Sequence, residues 1–356
     1  MVQRFSVTLA LTLVLAACSG PGYYLQAISG QWKLMHARQD IQALLANPDT
    51  SHELAAQLQS ADQIKRFAED SLDLPVNGSY SSYVEIEGPA LVWNVVAAPE
   101  FSLQPKRWCF PVAGCVPYRG FFQEHKAIKS AARLQGKGLD VYISPATAYS
   151  SLGWFDDPLL STMFSRSDTR LAAHLFHELA HQRLYVKGDG AFNEGYASFV
   201  EVTAVKLWLR SQHRQGDLLQ WQQLRNARQD FAGLIGDVRE KLNKLYYSDS
   251  PDNIKRSRKV EIIASLTESY KQLSTRKWGG RSYYEDWFNN APNNAKLALY
   301  STYEGSNCAF QGLLDQAGGD LVEFHRLAEQ KAGLKNAERK LWLNHSCGAS
   351  AAQGNP

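Results

Sequence analysis

The sequence has little net charge, few cysteines and, beyond residue 17, no long apolar run. Its 38 lysines and arginines nearly balance 35 aspartates and glutamates, which leaves a formal net charge of only +3. This balance argues against a nucleic-acid-binding protein whose whole surface is basic. No later segment offers the roughly 20 apolar residues that a membrane-spanning helix needs. We therefore expect a globular protein with a large core and no nucleic-acid partner.

The five cysteines show no C-x-x-C spacing, so we do not expect them to bind a metal or to form a redox pair. Four of them follow Cys18, and an even number in an exported protein suggests two disulfides. The short spacing in "CFPVAGC" favours Cys109 with Cys115, which leaves Cys308 with Cys347. Four cysteines allow three pairings, and buried free thiols are the alternative.

The chain opens with "MVQRFSVTLALTLVLAACSGPG", in which one arginine precedes an apolar run from Phe5 to Ala17. This run is too short to cross a bilayer comfortably, and its basic start and small-residue end are typical of an export signal over residues 1–17. A buried N-terminal helix is the alternative. "LAAC", which ends at Cys18, resembles the bacterial lipobox, and this resemblance implies cleavage before Cys18 and lipidation of it. Ser19 implies an outer-membrane lipoprotein that faces the periplasm, held to the membrane by several acyl chains.

The remaining sequence predicts an α+β fold with a small N-terminal mixed α/β part and a mainly α-helical C-terminal half. Apolar spacing predicts helices over Tyr23–Asn47 and 51–75, and β-branched and aromatic residues predict strands between Tyr80 and Phe122. A helix over residues 123–138 and a strand over Leu139–Ile143 follow. Helical patterns then continue from Asp168 to about Leu343. We divide the chain into the leader 1–17, an N-terminal part 18–166 and a helical part 167–356, and we expect the last two to form one compact unit.

The stretch "HELAH" carries the most specific chemical signal. His177 and His181 are four residues apart, so both imidazoles project from one face of a helix and can meet one metal ion. Catalytic zinc takes three protein ligands and keeps one position for water. Glu178, directly after the first histidine, is placed to deprotonate that water as a general base.

The third ligand is expected from the helix that begins near Ala191, with "FNEGYASFVE". An antiparallel second helix would bring Glu194 back opposite the histidines. Glu201 competes for this role, because it lies seven residues later on the same helical face; as a non-ligand it would steady a histidine N–H. His174 is expected to pack beside the site. Asp189 is expected to cap the second helix, with bracing of His181 as the alternative.

"HELAHQ" followed by "NEGYASFVE" resembles the gluzincin metallopeptidases, particularly the aminopeptidase N-like enzymes. Together with the upstream "SPATAYSSLGWFDDPLLST", the region resembles a family of bacterial predicted aminopeptidases, many of them lipoproteins. The resemblance implies a Zn²⁺ ion held by His177, His181 and Glu194, with Glu178 as the base. Two features depart from the wider gluzincin pattern: the spacer before Glu194 is shorter, which requires a tight loop, and a G-x-M-E-N segment that reads the substrate's free amine is missing.

Hydrolysis of a peptide also needs a group that stabilises the oxyanion. The T-Y stretch that recurs in the family favours Tyr303. Tyr300, Tyr283 and Tyr284 are alternatives, and a core aromatic is the non-functional interpretation of each.

Two functions are consistent with these features. The first is a zinc-dependent peptidase of the aminopeptidase type that acts on a peptide substrate. The second is a non-catalytic, zinc-containing envelope lipoprotein that binds peptides or cell-wall stem peptides. Glu178 favours the enzyme, because a structural zinc site does not use a general base and normally fills all four positions with protein ligands.

Overall fold

The computed structural model describes residues 21–110, 114–148, 156–164, 167–300 and 307–351. It is a mixed α+β fold with mainly helical content, as predicted, and it divides into two compact units of interleaved segments. Of these residues, the first unit contains 21–38, 84–110, 114–148 and 234–300, and the second contains 39–83, 156–164, 167–233 and 307–351. The division after residue 166 stays a prediction. In the described part of the chain, no helix is long and apolar enough to cross a membrane.

The first unit is built on a three-stranded antiparallel sheet. Its strands are β3 (Val92–Pro99), β6 (Arg119–Phe121) and β7 (Leu139–Ala146), in the order β6-β3-β7. Side chains alternate between the faces of a strand, and both faces of β3 are covered. Val95 and Ala97 pack in one cluster and Val96 and Ala98 in another. Because both faces are buried, β3 has the continuous apolar sequence "VVAAP".

Helices cover the two faces of this sheet. Helix α4 (Glu124–Gln135) packs Ala127 and Ala131 into the first cluster, and α10 (Asn294–Leu299) packs Ala295 into the second. Gln26 of α1 (Pro21–His36) donates a hydrogen bond to the carbonyl of Gly120 on β6.

The first unit also contains the hairpin of β4 (Trp108–Phe110) and β5 (Gly114–Val116) and two further helices, α8 (Asp252–Lys277) and α9 (Glu285–Phe288). A disulfide between Cys109 and Cys115 joins the two strands of the hairpin, as the sequence predicts. Helix α7 (Gln215–Tyr246) contributes residues to both units.

The second unit combines a small sheet with long helices. Strands β1 (Gln39–Asp40), β2 (Ser82–Val84) and β8 (Leu159–Leu160) form the sheet in the order β1-β2-β8. The helices are α2 (Ile41–Ala46), α3 (His52–Leu72), α5 (Asp168–Arg183), α6 (Gly190–Ser211), α11 (Asn307–Gln316), α12 (Leu321–Ala332) and α13 (Asn336–Ala351). A 3₁₀ turn, Ser161–Met163, precedes α5.

One predicted element differs from the structure. The single helix expected over 23–47 is two helices, α1 and α2, with β1 between them. Asp40 explains the restart, because its carboxylate accepts the backbone N–H of Ala43 as the N-cap of α2. A side chain that caps a new helix at this point competes with continuation of the first one.

Helix α6 lies at the centre of the second unit and packs closely against α5. Its buried aromatic residues, Phe192, Tyr196 and Phe199, meet Phe310 of α11 and Phe324 of α12. These rings fix the rotation of α6 about its own axis, and hence the direction in which its polar residues point.

Cys308 in α11 is disulfide-bonded as well. Its predicted pairing with Cys347 stays a prediction, because the side chain of Cys347 lies outside the described residues.

Candidate metal centre

The candidate site is built on α5 and α6, which a short loop over residues 184–189 connects. The side chain of Asn193 fastens this loop, since it accepts the N–H of Val186 at 2.8 Å and donates to the carbonyl of Val186 at 2.9 Å. Asp189 caps α6 by accepting the N–H of Phe192 at 3.2 Å. The short spacer before Glu194 is thus accommodated by a tight loop, and Asp189 has the capping role that we expected.

Three predicted ligands meet at one point. Nε2 of His177 lies 3.5 Å from one carboxylate oxygen of Glu194, and Nε2 of His181 lies 3.6 Å from the other. One nitrogen from each histidine and one oxygen of Glu194 all lie within 4.8 Å of one another. Two imidazoles and one carboxylate are donors that suit a divalent metal ion. The Glu194 side chain is 41% exposed, so this group of donors is accessible from one side.

Glu201 touches the other nitrogen of a ligand candidate. Its carboxylate lies 3.1 Å from Nδ1 of His177. A carboxylate only accepts hydrogen bonds when ionised, so Nδ1 carries the proton and donates it to Glu201. In the neutral ring that a metal requires, this contact leaves the lone pair on Nε2 of His177, on the side of Glu194. Glu201 therefore orients the ring of His177 and does not belong to the group of three donors.

Charge is concentrated around His177. Burial lowers the pKa of His177, but hydrogen bonds to Glu194 and Glu201 outweigh burial and raise the pKa to about 10. Burial raises the pKa of Glu194, yet the hydrogen bond from His177 leaves it below the usual range. Burial and the neighbouring His177 lower the pKa of His181. A proton on the His177 ring thus offsets the negative charges of Glu194 and Glu201, which lie on its two sides.

Glu178 lies beside these donors, and its carboxylate is available to accept a proton. Within the described residues, its carboxylate forms one ion pair, with Nδ1 of His174 at 3.9 Å, which is too long for a hydrogen bond. Burial lowers the pKa of His174, which favours its neutral form. Within the described residues, no side chain donates a hydrogen bond to the Glu178 carboxylate. A partly buried carboxylate without a donor can accept a proton from water.

Tyr80 is a residue of this site that the sequence did not indicate. It is 2% exposed, and its φ of 57° is in the left-handed region that tyrosine rarely adopts. Its backbone N–H donates to the carbonyl of Asp157 at 2.6 Å. Burial, and then the charges of Glu178 and Asp157, hold the pKa of Tyr80 well above its usual range. The phenol therefore stays protonated near the candidate base.

Tyr196 and His325 form a second unpredicted contact. The Tyr196 hydroxyl lies 2.7 Å from Nδ1 of His325, and Nε2 of His325 lies 2.9 Å from the carbonyl of Leu72. The carbonyl can only accept, so Nε2 donates, and the Tyr196 hydroxyl donates to Nδ1. Burial lowers the pKa of His325, which agrees with this neutral form. Tyr196, two residues after Glu194, thus fixes α6 instead of facing the donors.

The predicted oxyanion residue, Tyr303, lies outside the described residues. Of the alternatives, Tyr283, Tyr284 and Tyr300 belong to the first unit, whereas the three metal donors belong to the second. The role of a tyrosine in oxyanion stabilisation stays a prediction.

Among known proteins, the chain matches one family. A family model with the description "Putative aminopeptidase" matches residues 22–343, which is most of the chain and includes all three donors. The chain matches no curated protein and no solved structure.

Proposed function

The chain belongs to the family described as "Putative aminopeptidase", and from that premise we propose that it is a zinc-dependent peptidase of the gluzincin type. The family supports a peptidase that acts at the N-terminus of its substrate. Zinc and the mechanism are our inference from the site.

One observation carries this proposal: His177, His181 and Glu194 converge while Glu178, next to the first histidine, stays outside their contacts. Two nitrogens and one oxygen are the donors of many catalytic zinc sites, which keep a position for water. A site that only stabilised the fold would normally present four protein ligands. A site with only three protein donors that is accessible at Glu194 favours catalysis over the non-catalytic alternative.

The residues of the chain then have distinct tasks. When bound, zinc supplies Lewis-acid chemistry, lowering the pKa of water and polarising a carbonyl. Glu178 accepts a proton from the attacking water and returns it to the amine that leaves. Glu201 holds the His177 ring in one tautomer through Nδ1. Each transfer moves one proton, so Glu178 ends the cycle ionised as it began.

We also propose that the protein is an outer-membrane lipoprotein anchored through Cys18. The support is the apolar run over residues 5–17 that ends in "LAAC". A lipid anchor would hold the peptidase at the membrane, where it meets peptides of the periplasm.

The test is Glu178→Gln, assayed for zinc content and for hydrolysis of the same peptide series. Glutamine fills the same space but cannot accept the proton, so we expect the rate to fall by about 10²–10⁴-fold while zinc stays near one per chain. The series contains one peptide with a free amino terminus and the same peptide blocked by acetylation. Faster cleavage of the free peptide supports the aminopeptidase type.

Two results would contradict the proposal. Undiminished cleavage by Glu178→Gln would remove the base from the mechanism. Absence of zinc from the parent protein would remove the metal. Stoichiometric zinc without hydrolysis of any peptide would instead support the non-catalytic alternative.

A further inference from the structure

The first unit contains a cavity of about 400 Å³ beside the β4–β5 hairpin and the carboxyl end of α4. Pockets that hold small molecules range from about 300 to 1,000 Å³, so the space is sufficient for a small ligand. Its wall carries five cationic residues and no carboxylate: Lys106, Arg107, Arg119, Arg133 and Lys137.

These five cations are not neutralised by the protein. Within the described residues, none of them forms an ion pair with an aspartate or glutamate. Arg107 donates to the carbonyl of Cys115, which is a neutral partner. Like charges that surround one space repel each other, and an anion inside that space would offset the repulsion.

The five cations could serve to stabilise the helix dipole of α4 or to bind a ligand in the cavity. Their positions on the fold distinguish these two explanations. Arg133 and Lys137 lie at the carboxyl end of α4, where positive charge stabilises the helix dipole. That reason does not apply to Lys106 and Arg107, which precede β4, or to Arg119 on β6. Cations from three separate elements therefore face one cavity, and helix stabilisation accounts for only two of them.

Arg119 is the least exposed of the five. Its guanidinium group stacks on the ring of Tyr23, with 3.9 Å between the guanidinium carbon and the ring centroid. Burial lowers the pKa of Arg119 and outweighs the opposing effect of Tyr23. Its Nε is buried without a hydrogen-bond partner in the described part of the chain. Stacking holds the planar group in place, and a fixed guanidinium favours bidentate contact with an oxyanion.

We propose that this cavity binds a ligand through a phosphate group. A carboxylate would bring only one negative charge to these five cations. A phosphate monoester brings a charge of about −1.5 to −2 near pH 7 and three acceptor oxygens. The buried Trp108 and the half-buried Leu134 add an apolar wall, and Ser130 adds a hydroxyl group. The ligand is thus a phosphate with an organic group attached. This site goes beyond the peptidase activity proposed above.

Such a phosphate has two possible sources, a soluble metabolite or a lipid headgroup. Tyr23, which supports Arg119, lies on the helix that follows the predicted anchor at Cys18. For this reason the probes include a lipid. We would titrate the full-length chain with inorganic phosphate, with glycerol 3-phosphate and with a short-chain, water-soluble phosphatidylglycerol, and measure binding by calorimetry at low salt.

The variants are Arg133→Glu on α4 and Lys106→Glu before β4, which reverse the charge of two exposed residues that line the cavity. Each is expected to weaken binding by about tenfold or more, because an attractive contact becomes a repulsive one. The matched control is Arg276→Glu, an equal charge change at an exposed residue of the first unit that does not line the cavity. Screening limits its expected effect to about twofold.

Saturable binding of any of the three probes that both cavity variants weaken and the control retains would support the proposal. Binding of the short-chain lipid alone identifies a headgroup site, and binding of glycerol 3-phosphate with equal strength identifies a soluble ligand. Failure of all three probes to bind would overturn the proposal. An equal loss in Arg276→Glu would also overturn it, because the effect would then come from net charge. Zinc content and peptide hydrolysis are measured on the same samples. Failure of the phosphate site can then be distinguished from failure of the proposed peptidase activity.

Discussion

Glu201 and His177 are joined by a contact of 3.1 Å between the carboxylate and Nδ1, across two helices. The opposite nitrogen of the same ring lies 3.5 Å from Glu194. One histidine thus has a carboxylate on each side, and the two carboxylates have different consequences for a metal. The nitrogen that keeps its proton cannot bind the ion, and the nitrogen that faces Glu194 can.

Glu194→Ala and Glu201→Ala should therefore differ in their effect on zinc. Loss of Glu194 removes one of the three proposed ligands, so we expect most of the zinc to be lost on dialysis. Loss of Glu201 removes only the support of His177, which typically costs about 10–100-fold in affinity or activity. Zinc is measured by elemental analysis after dialysis against a chelator of graded strength. If Glu201→Ala loses all zinc while Glu194→Ala keeps it, Glu201 is the third ligand.

The pair of Asp189 and Arg339 is predicted to stabilise the loop that precedes Glu194. Nε of Arg339 donates to Asp189 at 2.7 Å, and both side chains are almost fully buried. Asp189→Asn leaves a buried cation without its partner, which is expected to cost about 3–5 kcal/mol of the free energy of unfolding. The measurement is urea denaturation of the parent and the variant. The double variant Asp189→Asn with Arg339→Met is the control and should recover much of the loss, because the unpaired charge is gone. Asparagine keeps the oxygen that caps α6, so equal loss in both variants would contradict the role of the unpaired charge.

Acid should destabilise the start of α5, the helix that carries His177 and His181, through Asp168. Arg214 donates two hydrogen bonds to this carboxylate, at 2.7 and 2.9 Å, and these hold the pKa of Asp168 below its usual range. A lowered folded pKa stabilises the protein above the unfolded value of about 3.9, and this contribution is lost as the pH falls through the folded value. Both side chains are partly exposed, so we expect Asp168→Asn to cost about 0.2–1 kcal/mol at pH 7 and almost nothing near pH 2.

Thermal unfolding at several pH values tests this difference. The control is Asp249→Asn, an exposed aspartate that should change stability little at any pH. A gap between Asp168→Asn and the parent that persists undiminished at pH 2 would contradict the role of the Arg214 pair.

Anchoring is predicted to depend on Cys18. Cys18→Ala removes the proposed acceptor of the lipid, so the protein should move from the membrane fraction to the soluble periplasmic fraction without loss of zinc or fold. Fractionation after a high-salt wash measures this, with Cys18→Ser as a second variant. Retention of both variants in the membrane would show that something other than lipid holds the protein there.

Local signals in the sequence determined much of the framework. A helix repeats every 3.6 residues through bonds between residues four apart, so the spacing of His177 and His181 fixes their common face without any distant contact. Capping is equally local, and Asp189 acts on Phe192, three residues later, as expected. The same kind of local signal was missed at Asp40, where a cap divides the first predicted helix in two.

Only the tertiary structure decided which groups surround these histidines. Nothing within a few residues of Tyr80, His325 or Arg339 indicates a role near the site. His325 meets a tyrosine 129 positions away, and Arg339 meets an aspartate 150 positions away. Glu194 and Glu201 lie on one face of one helix, so periodicity alone leaves both facing the histidines. The packing of buried aromatic rings fixes how α6 is rotated, and this rotation directs Glu194 to the Nε2 nitrogens and Glu201 to Nδ1, because side chains in a close-packed core have few alternative positions.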